Sequence, residues 1–542
     1  MNCNGKPSTF PWYRLPRELQ LNILSFLACR QRRTNHVESS SQEGIAKQHV
    51  GHIAKCATVC RDWQEYFETF LFRKITVHQK DLAGLHRISP CRTERIQHLW
   101  LRIELRPYGC RVCHYADNVL NQRKNGLIPD RALCNLLRVL RRWKGRNSSQ
   151  PSGGLILELS THSPSDLQHE FQNISFDDAE NNDEDTEVCK THDPKHGWVD
   201  GHRTRQPDDM PVYDLFHLWE PGKPRIEKVE WSAPVVKHLL IRRQARRQIP
   251  PTTLECLFDR LPRLESLNLE LWTMYGGLES VGDYITSTLL QRHFPRRVQR
   301  VTLFQDFDED IDSMFSGGSP HWVWPDKIPN PAVGESLAGL KNQRRLCASF
   351  IADAYDFFEA LHHRRRDGAW RNLTHFSMTS LALRSETPPS HVQRLLMMAA
   401  HAACRFPSLE IMELWYGRRG EACLFRFSRS RDGTFKIFRS GTWELPLSSE
   451  VVEAWTKLCS LRRGRCIMTQ DMERIDHQQI KSHGDAIHYL GLMADVVHPT
   501  SLRQIRREAQ HYGPYPRWKP PRELYHDHQW LTSIIASTYG QP

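Results

Sequence analysis

The feature that most limits what this chain can fold into is a loose repeat in its second half. Leu261-Pro262-Arg263-Leu264-Glu265-Ser266-Leu267-Asn268-Leu269 returns as Phe294-Pro295-Arg296-Arg297-Val298-Gln299-Arg300-Val301-Thr302-Leu303 and as Phe406-Pro407-Ser408-Leu409-Glu410-Ile411-Met412-Glu413-Leu414, with a looser copy from Trp370 to Leu383. Each copy is a helix end, a Pro or polar turn, and a strand of alternating apolar residues. Helix-like stretches precede them, at Thr252 to Arg260, Asp283 to His293, Ala348 to His363 and His391 to Arg405. One such unit cannot bury its apolar face alone. The units must stack, and a period of about 30 to 40 residues suits a stacked array. A Gly/Pro/Ser insertion from Ser316 to Gly339 stretches that period.

The predicted fold class is mixed, α+β or α/β: an N-terminal helical module, then an irregular leucine-rich-repeat-like α/β solenoid over residues 210–470. An ordinary open α/β sheet is the alternative, because the Leu-x-x-Leu-x-Leu rhythm recurs while the Asn position of regular leucine-rich repeats is missing. Residues 78–159 form a first α/β segment: Ile96 to Leu105 and Leu155 to Leu159 read as strands, and Arg131 to Trp143 as a helix. From 160 to 209 the alternation stops. Asp177 to Glu187 is almost entirely acidic residues and Asn, so the stretch reads as a disordered acidic insertion. Cys423 to Phe427 and Thr434 to Phe438 flank Arg431-Asp432-Gly433, a hairpin over 423–438 that caps the solenoid or extends its sheet. Residues 471–542 read as a helical segment and a Pro/Arg-rich tail.

At the N-terminal end, Pro16 and Glu18 mark a helix start, since a Pro is tolerated in the first turn and an acid there favours the helix dipole. Leu19, Ile23, Leu24 and Leu27 then fall on one stripe. After a polar stretch from Arg30 to Gln48, Ile53, Ala57, Cys60, Trp63 and Phe67 recur every three or four residues, which predicts a second helix facing the first, with Trp63 buried between them. Periodicity alone fits any helical hairpin.

Specific residues add to this. Leu15-Pro16-Arg17-Glu18-Leu19, Ile23-Leu24-Ser25-Phe26-Leu27, Val59-Cys60-Arg61-Asp62-Trp63 and Phe70-Leu71-Phe72-Arg73 together resemble an F-box, in particular the N-terminal F-box of filamentous-fungal proteins with a long α/β region behind it. The module is assigned to residues 9–77, with an inserted loop at 30–48 that is longer than the usual F-box connection. A loop of that length adds closure entropy only slowly. The resemblance implies that Leu15, Pro16, Leu19, Ile23, Leu27, Val59 and Trp63 form or support a surface for a Skp-type adaptor and, through it, a cullin. It implies a non-catalytic receptor subunit of a ubiquitin ligase that binds a protein target through its α/β region. An F-box scaffold acting without ubiquitylation and a basic nucleic-acid binder are the alternatives.

Other chemistry fails on detail. Cys110-Arg111-Val112-Cys113-His114 has the spelling of haem attachment and half that of a zinc site, but no second pair follows at zinc-finger spacing, so the cysteines read as buried or incidental. Asp306, Asp308, Asp310 and Asp312 alternate like calcium ligands, yet Ile311 and Gly317 stand where an EF-hand needs Gly and Glu. No phosphate-loop, dinucleotide, nucleophile-elbow or zincin motif occurs, and no catalytic residue, cofactor or metal ligand is assigned. Fifteen cysteines scattered over 542 residues, no leader-like start and no long apolar run predict a reduced, cytoplasmic or nuclear protein without a membrane partner. The net charge of +12 lies in separate clusters: Arg138 to Arg146, Arg242 to Arg247, Arg364 to Arg366 and Arg503 to Arg507. None is a recognised nucleic-acid reading head. They read as solvated helix faces or as a basic surface for an acidic protein target.

Overall fold

The computed structural model describes residues 12–511 apart from 30–50, 116–118, 144–153, 175–191, 217–222, 274–285, 312–328 and a few shorter stretches. Among these residues thirteen strands join one sheet, and their spatial order follows the chain. It runs β1 (Lys74–His78), β2 (His98–Glu104), β3 (Leu155–His162), β6 (Val236–Ile241), β7 (Ser266–Trp272), β8 (Arg300–Asp306), β9 (Arg345–Ser349), β10 (His375–Thr379), β11 (Ile411–Arg418), β12 (Glu421–Arg429), β13 (Phe435–Gly441) and β14 (Cys466–Met468), with β15 (Glu473–Arg474) also beside β13. The two short strands β4 (Trp198–Val199) and β5 (His202–Arg203) form a separate hairpin. Every neighbouring pair from β1 to β11 is parallel. β11, β12 and β13 are antiparallel, so the expected hairpin extends the sheet. Among the described strands the order never reverses between β1 and β14, so they form no topological switch point.

Alternation along each strand makes two unlike faces. Leu157, Leu159, Leu267, Leu269, Val301, Leu303, Phe376, Met378, Met412 and Leu414 face a single core shared with the helices Pro251–Asp259, Pro331–Ala338, Ala354–His363, Pro389–Ala403 and Ser449–Leu461. Their strand neighbours Glu158, Ser160, Glu270, Thr302, Phe304, Asp306, Ser377, Glu413 and Trp415 take the opposite face. That face is covered by the C-terminal segment. Ile487 and Ile505, from the helices His483–Tyr489 and Pro499–Glu508, pack with Phe304, Cys347, Trp415 and Leu424. Gly417 on β11 admits the first of these helices, because a Cβ there would collide with that of Ala486.

The three repeat copies fall on β7, β8 and β11, and the looser copy on β10. One unit was misread: Ala348 lies on β9, and the following helix starts only at Ala354, where Asp353 accepts a hydrogen bond from Tyr355 N at 2.8 Å. The strand therefore ends where the helix had been expected to begin. The helix expected at Arg131 to Trp143 in the upstream segment is also longer and starts earlier, Val119–Leu140. Residues 160–174 and 192–205 are ordered, with Phe171, Ile174 and Trp198 buried, so the expected disordered insertion of 160–209 is folded at both ends. Its acidic run, 177–187, lies outside the described residues. β3 pairs directly with β6 across that stretch, so residues 78–159 and 210–470 contribute to one sheet. Among the described residues no helix is long and apolar enough to cross a membrane.

Candidate docking surface

The N-terminal module is built on α1 (Arg17–Cys29), a helical turn at 51–56 and α2 (Arg61–Leu71). The single second helix expected from the periodicity is thus two. The chain turns at 57–59, and Cys60 caps α2 in an extended conformation. Leu24, Ile53, Cys56 and Phe67 form a small core, flanked by Trp12, Leu27, Ala28, Ala57 and Trp63. Gln20, whose role is invisible in a hydropathy pattern, is buried and donates to the backbone oxygens of Trp12 and Leu15 at 3.1 and 3.2 Å, fixing the start of α1.

Of the seven residues assigned to the surface, the structure places Leu19, Ile23 and Val59 in solvent, 48%, 39% and 61% exposed. Pro16 is exposed too, while Leu15 and Leu27 are half-buried. Trp63 is half-buried against Trp12 and Phe67, with ring centroids at 5.4 and 5.7 Å, rather than enclosed between helices. The stripe read as one face is two: Leu24 points into the module, while Leu19, Ile23 and the unassigned Phe26, which is 66% exposed, point out at spacings of four and three. Exposed aliphatic and aromatic side chains in a row on so short a helix form a surface that a partner would cover.

The module runs into the sheet without a linker. Phe72, the C-terminal cap of α2, packs on the main core, and β1 starts at Lys74. Glu68 is buried beside this junction, bound by Arg92 Nη2 at 2.6 Å and Arg95 Nη1 at 2.9 Å, and the Arg92 hydrogen bonds hold its carboxyl below the usual range. Packing and charge thereby tie the N-terminal module to the sheet at this junction.

The basic run Arg242 to Arg247 is not a surface. Arg242 Nε donates to Glu158 at 2.6 Å, Arg247 Nη2 to Asp166 at 2.9 Å, and Arg246 Nη2 to Glu508 at 2.8 Å. Arg243 lies between Asp306 and Glu508, and all four arginines are buried. Burial works against the charges of Asp306 and Glu508, but Arg243, together with His483 Nε2 at 3.0 Å from Asp306 and with Arg246 at Glu508, outweighs it and lowers both pKa values. Asp306, the first of the four alternating aspartates, is an anchor for the C-terminal segment. Glu270 is the exception in this layer, its pKa raised by burial although Ser501 and the backbone N–H groups of Arg243 and His498 donate to it. Of the other clusters, Arg138, Arg141, Arg142 and Arg364 are exposed, while Arg506 pairs with Asp485 at 2.8 Å.

One group among the described residues has the composition to hold a metal. Cys110 and Cys113, from the turn after β2, meet His169, from the turn after β3, and His196, just before β4. The sequence supplied the first two and hid the others, because His196 lies 83 residues beyond Cys113.

Compared with known families, residues 12–78 match the family described as F-box-like, and residues 293–498 match a family of unknown function, DUF6546. No curated protein sequence matches the chain.

Proposed function

We propose that this chain, an F-box protein in which a DUF6546 region follows the N-terminal F-box-like domain, is the substrate receptor of a Skp–cullin–F-box ubiquitin ligase. The observation that carries the reading is the outward row of Leu19, Ile23 and Phe26 on α1, with Val59 also exposed, on a module whose own core is already filled by Leu24 and Phe67. Docking of a Skp-type adaptor would bury that row. Adaptor and cullin would place a ubiquitin-charged enzyme beside a protein target held by the α/β region, and the chemistry would be accelerated by proximity alone. The rigid junction at Glu68 and Phe72 supports this, because a receptor must hold its target at a fixed distance from the docking end. We further read the in-order parallel sheet as leucine-rich-repeat-like and place the protein in the cytoplasm or nucleus. Burial of the Arg242 to Arg247 run takes away one of the four candidates for a nucleic-acid or acidic-target surface.

The test is co-purification of the full chain with a Skp-type adaptor. Ile23→Asp combined with Phe26→Asp should weaken adaptor binding at least about tenfold, since hot-spot apolar contacts are worth roughly 2 kcal/mol or more each. The far-UV spectrum should not change, because neither side chain lies in the module's core. Unaltered adaptor binding would remove the main support for the receptor reading. Adaptor binding without cullin-dependent turnover of any bound protein would favour a scaffold.

A further inference from the structure

We propose that Cys110, Cys113, His169 and His196 bind one zinc ion in a closed, structural site that joins the loops after β2 and β3 to the β4–β5 hairpin. Their ligand atoms all lie within 4.8 Å of one another. Cys110 Sγ and Cys113 Sγ stand 3.2 and 3.6 Å from the same atom, His196 Nε2. A tetrahedral zinc with two sulfur and two nitrogen ligands has edges of about 3.3 to 3.8 Å, given bonds of about 2.3 and 2.0 to 2.1 Å. The cluster needs to close by at most about 1 to 1.5 Å along its longest edge.

Three further observations point to a ligand at the centre. His169 is buried; the Tyr108 backbone is near enough to act on its ring, but neither ring nitrogen has a partner of full hydrogen-bond geometry. A buried imidazole left without partners is rare and needs an explanation. His196 is already oriented: its Nδ1 is 2.6 Å from Asp193 Oδ2, and Gln172 Nε2 donates to the same oxygen at 2.8 Å. That carboxylate fixes the tautomer and leaves Nε2 facing the two sulfurs, the usual outer-shell arrangement of a metal-bound histidine. Finally, Lys195 Nζ lies 2.9 Å from Cys110 Sγ and offsets thiolate charge at the rim of the site.

Cys110, His196 and Asp193 could also be read as a nucleophile with its base and orienting acid. Two facts argue against that. His196 Nε2 is approached by both sulfurs, whereas a general base serves one nucleophile, and the nucleophile reading gives His169 nothing to do. Two thiolates and two imidazoles are a donor set for zinc rather than for calcium or magnesium. Four protein ligands leave no open position, so the site is structural. Its role follows from what surrounds it. The segments it joins contain a three-residue 3₁₀ turn and two two-residue strands, too little regular structure to hold their place by backbone pairing.

The test uses the full chain purified without chelator, with zinc counted by elemental analysis. About one zinc per chain is expected, falling to less than a tenth in Cys113→Ser, His169→Ala and His196→Ala, and unchanged in Cys134→Ser and Cys256→Ser. Cobalt substitution of the wild type should give the intense visible bands of a tetrahedral site together with thiolate charge-transfer absorption. This reads the donor set even if a variant fails to fold. Chelation should expose residues 106–115 and 192–205 to protease while adaptor co-purification persists, so that failure here is separable from failure of the receptor reading. Wild-type protein that neither contains zinc nor takes up equimolar zinc overturns the proposal. So does zinc retained by the folded ligand variants, or a native Cys110–Cys113 disulfide found by peptide mapping.

Discussion

Glu508 is a single carboxylate on which two buried cations depend. Its oxygens accept from Arg243 Nη1 and Nη2 at 2.8 and 2.7 Å and from Arg246 Nη2 at 2.8 Å, with all three side chains buried. Glu508→Ala leaves two guanidinium groups with one fewer counter-charge, and removal of one partner from such a buried set costs about 3 to 5 kcal/mol. Urea denaturation should show a loss of that size; a loss below about 1 kcal/mol would mean that water reaches the site. Because the folded pKa of Glu508 is depressed, its contribution is present above the ordinary carboxylate range and is lost as the pH falls through the folded value. Little of this was legible in the sequence. Arg242 to Arg247 looks the same whether it lies on a surface or inside a network, and its partners Glu158 and Glu508 are 84 and 265 residues away from Arg242 and Arg243. The same holds for His169 and His196, which no local spacing links to Cys110 and Cys113.

At the scale of elements, the sequence was most readable where the period was clean. β7, β8, β10 and β11 and the helices Pro251–Asp259 and Pro389–Ala403 were all found, because one apolar alternation or one helical stripe faces one core. It was least readable where an element is apolar on two sides. α1 buries Leu24 and exposes Ile23, and periodicity cannot say which of two adjacent apolar residues points inward. The break at 57–59 escaped for a related reason: Ala57, Cys60 and Trp63 keep helical spacing across a turn. The helix Pro499–Glu508 carries a prediction of its own. His498 caps it by accepting from Thr500 N at 3.2 Å, and burial, reinforced by Arg242, pushes the pKa of His498 down to about 3 from 6.5, while Glu158 opposes this and Lys74 and His98 contribute smaller effects. From pH 6.5 down to about 3 the unfolded chain binds a proton at His498 that the folded chain does not. Stability should therefore fall across that window by at most about 1.4 kcal/mol per pH unit from this residue. His498→Asn keeps a cap acceptor and cannot titrate, so its stability should fall less steeply than that of the wild type between pH 6.5 and 4. Parallel curves for the two proteins would show that the histidine is solvated in the folded state.

For the whole molecule, the in-order sheet ties distant parts of the chain into one structure. β1 closes the F-box-like match and already pairs with β2, β3 pairs with β6 across the residues expected to be an insertion, and the C-terminal helices return across the sheet to reach Arg243 and Asp306. Two sequence segments that read as separate α/β regions share a single core. The core of the N-terminal module, Leu24, Ile53, Cys56 and Phe67, is a cluster of its own. These two facts set up a test with Leu267→Asp, which places a carboxylate where Leu267 is 1% exposed near the start of β7. Lost packing and an unpaired buried carboxyl together should cost roughly 4 to 7 kcal/mol, comparable with the whole stability of many domains. If the sheet is one cooperative body, limited proteolysis of this variant should open sites near β2 and β3 as well as around β8 and β9, although the substitution touches neither end. Target binding should fail with it. Adaptor binding should persist, because Leu19, Ile23 and Phe26 stand on a core that contains no residue of the sheet. Protease cuts confined to β6, β7 and β8 would show that the sheet unfolds in independent pieces. Loss of adaptor binding in step with loss of the sheet would show that the junction at Glu68 and Phe72 carries the module's stability, and that docking and selection are not separable functions of this chain.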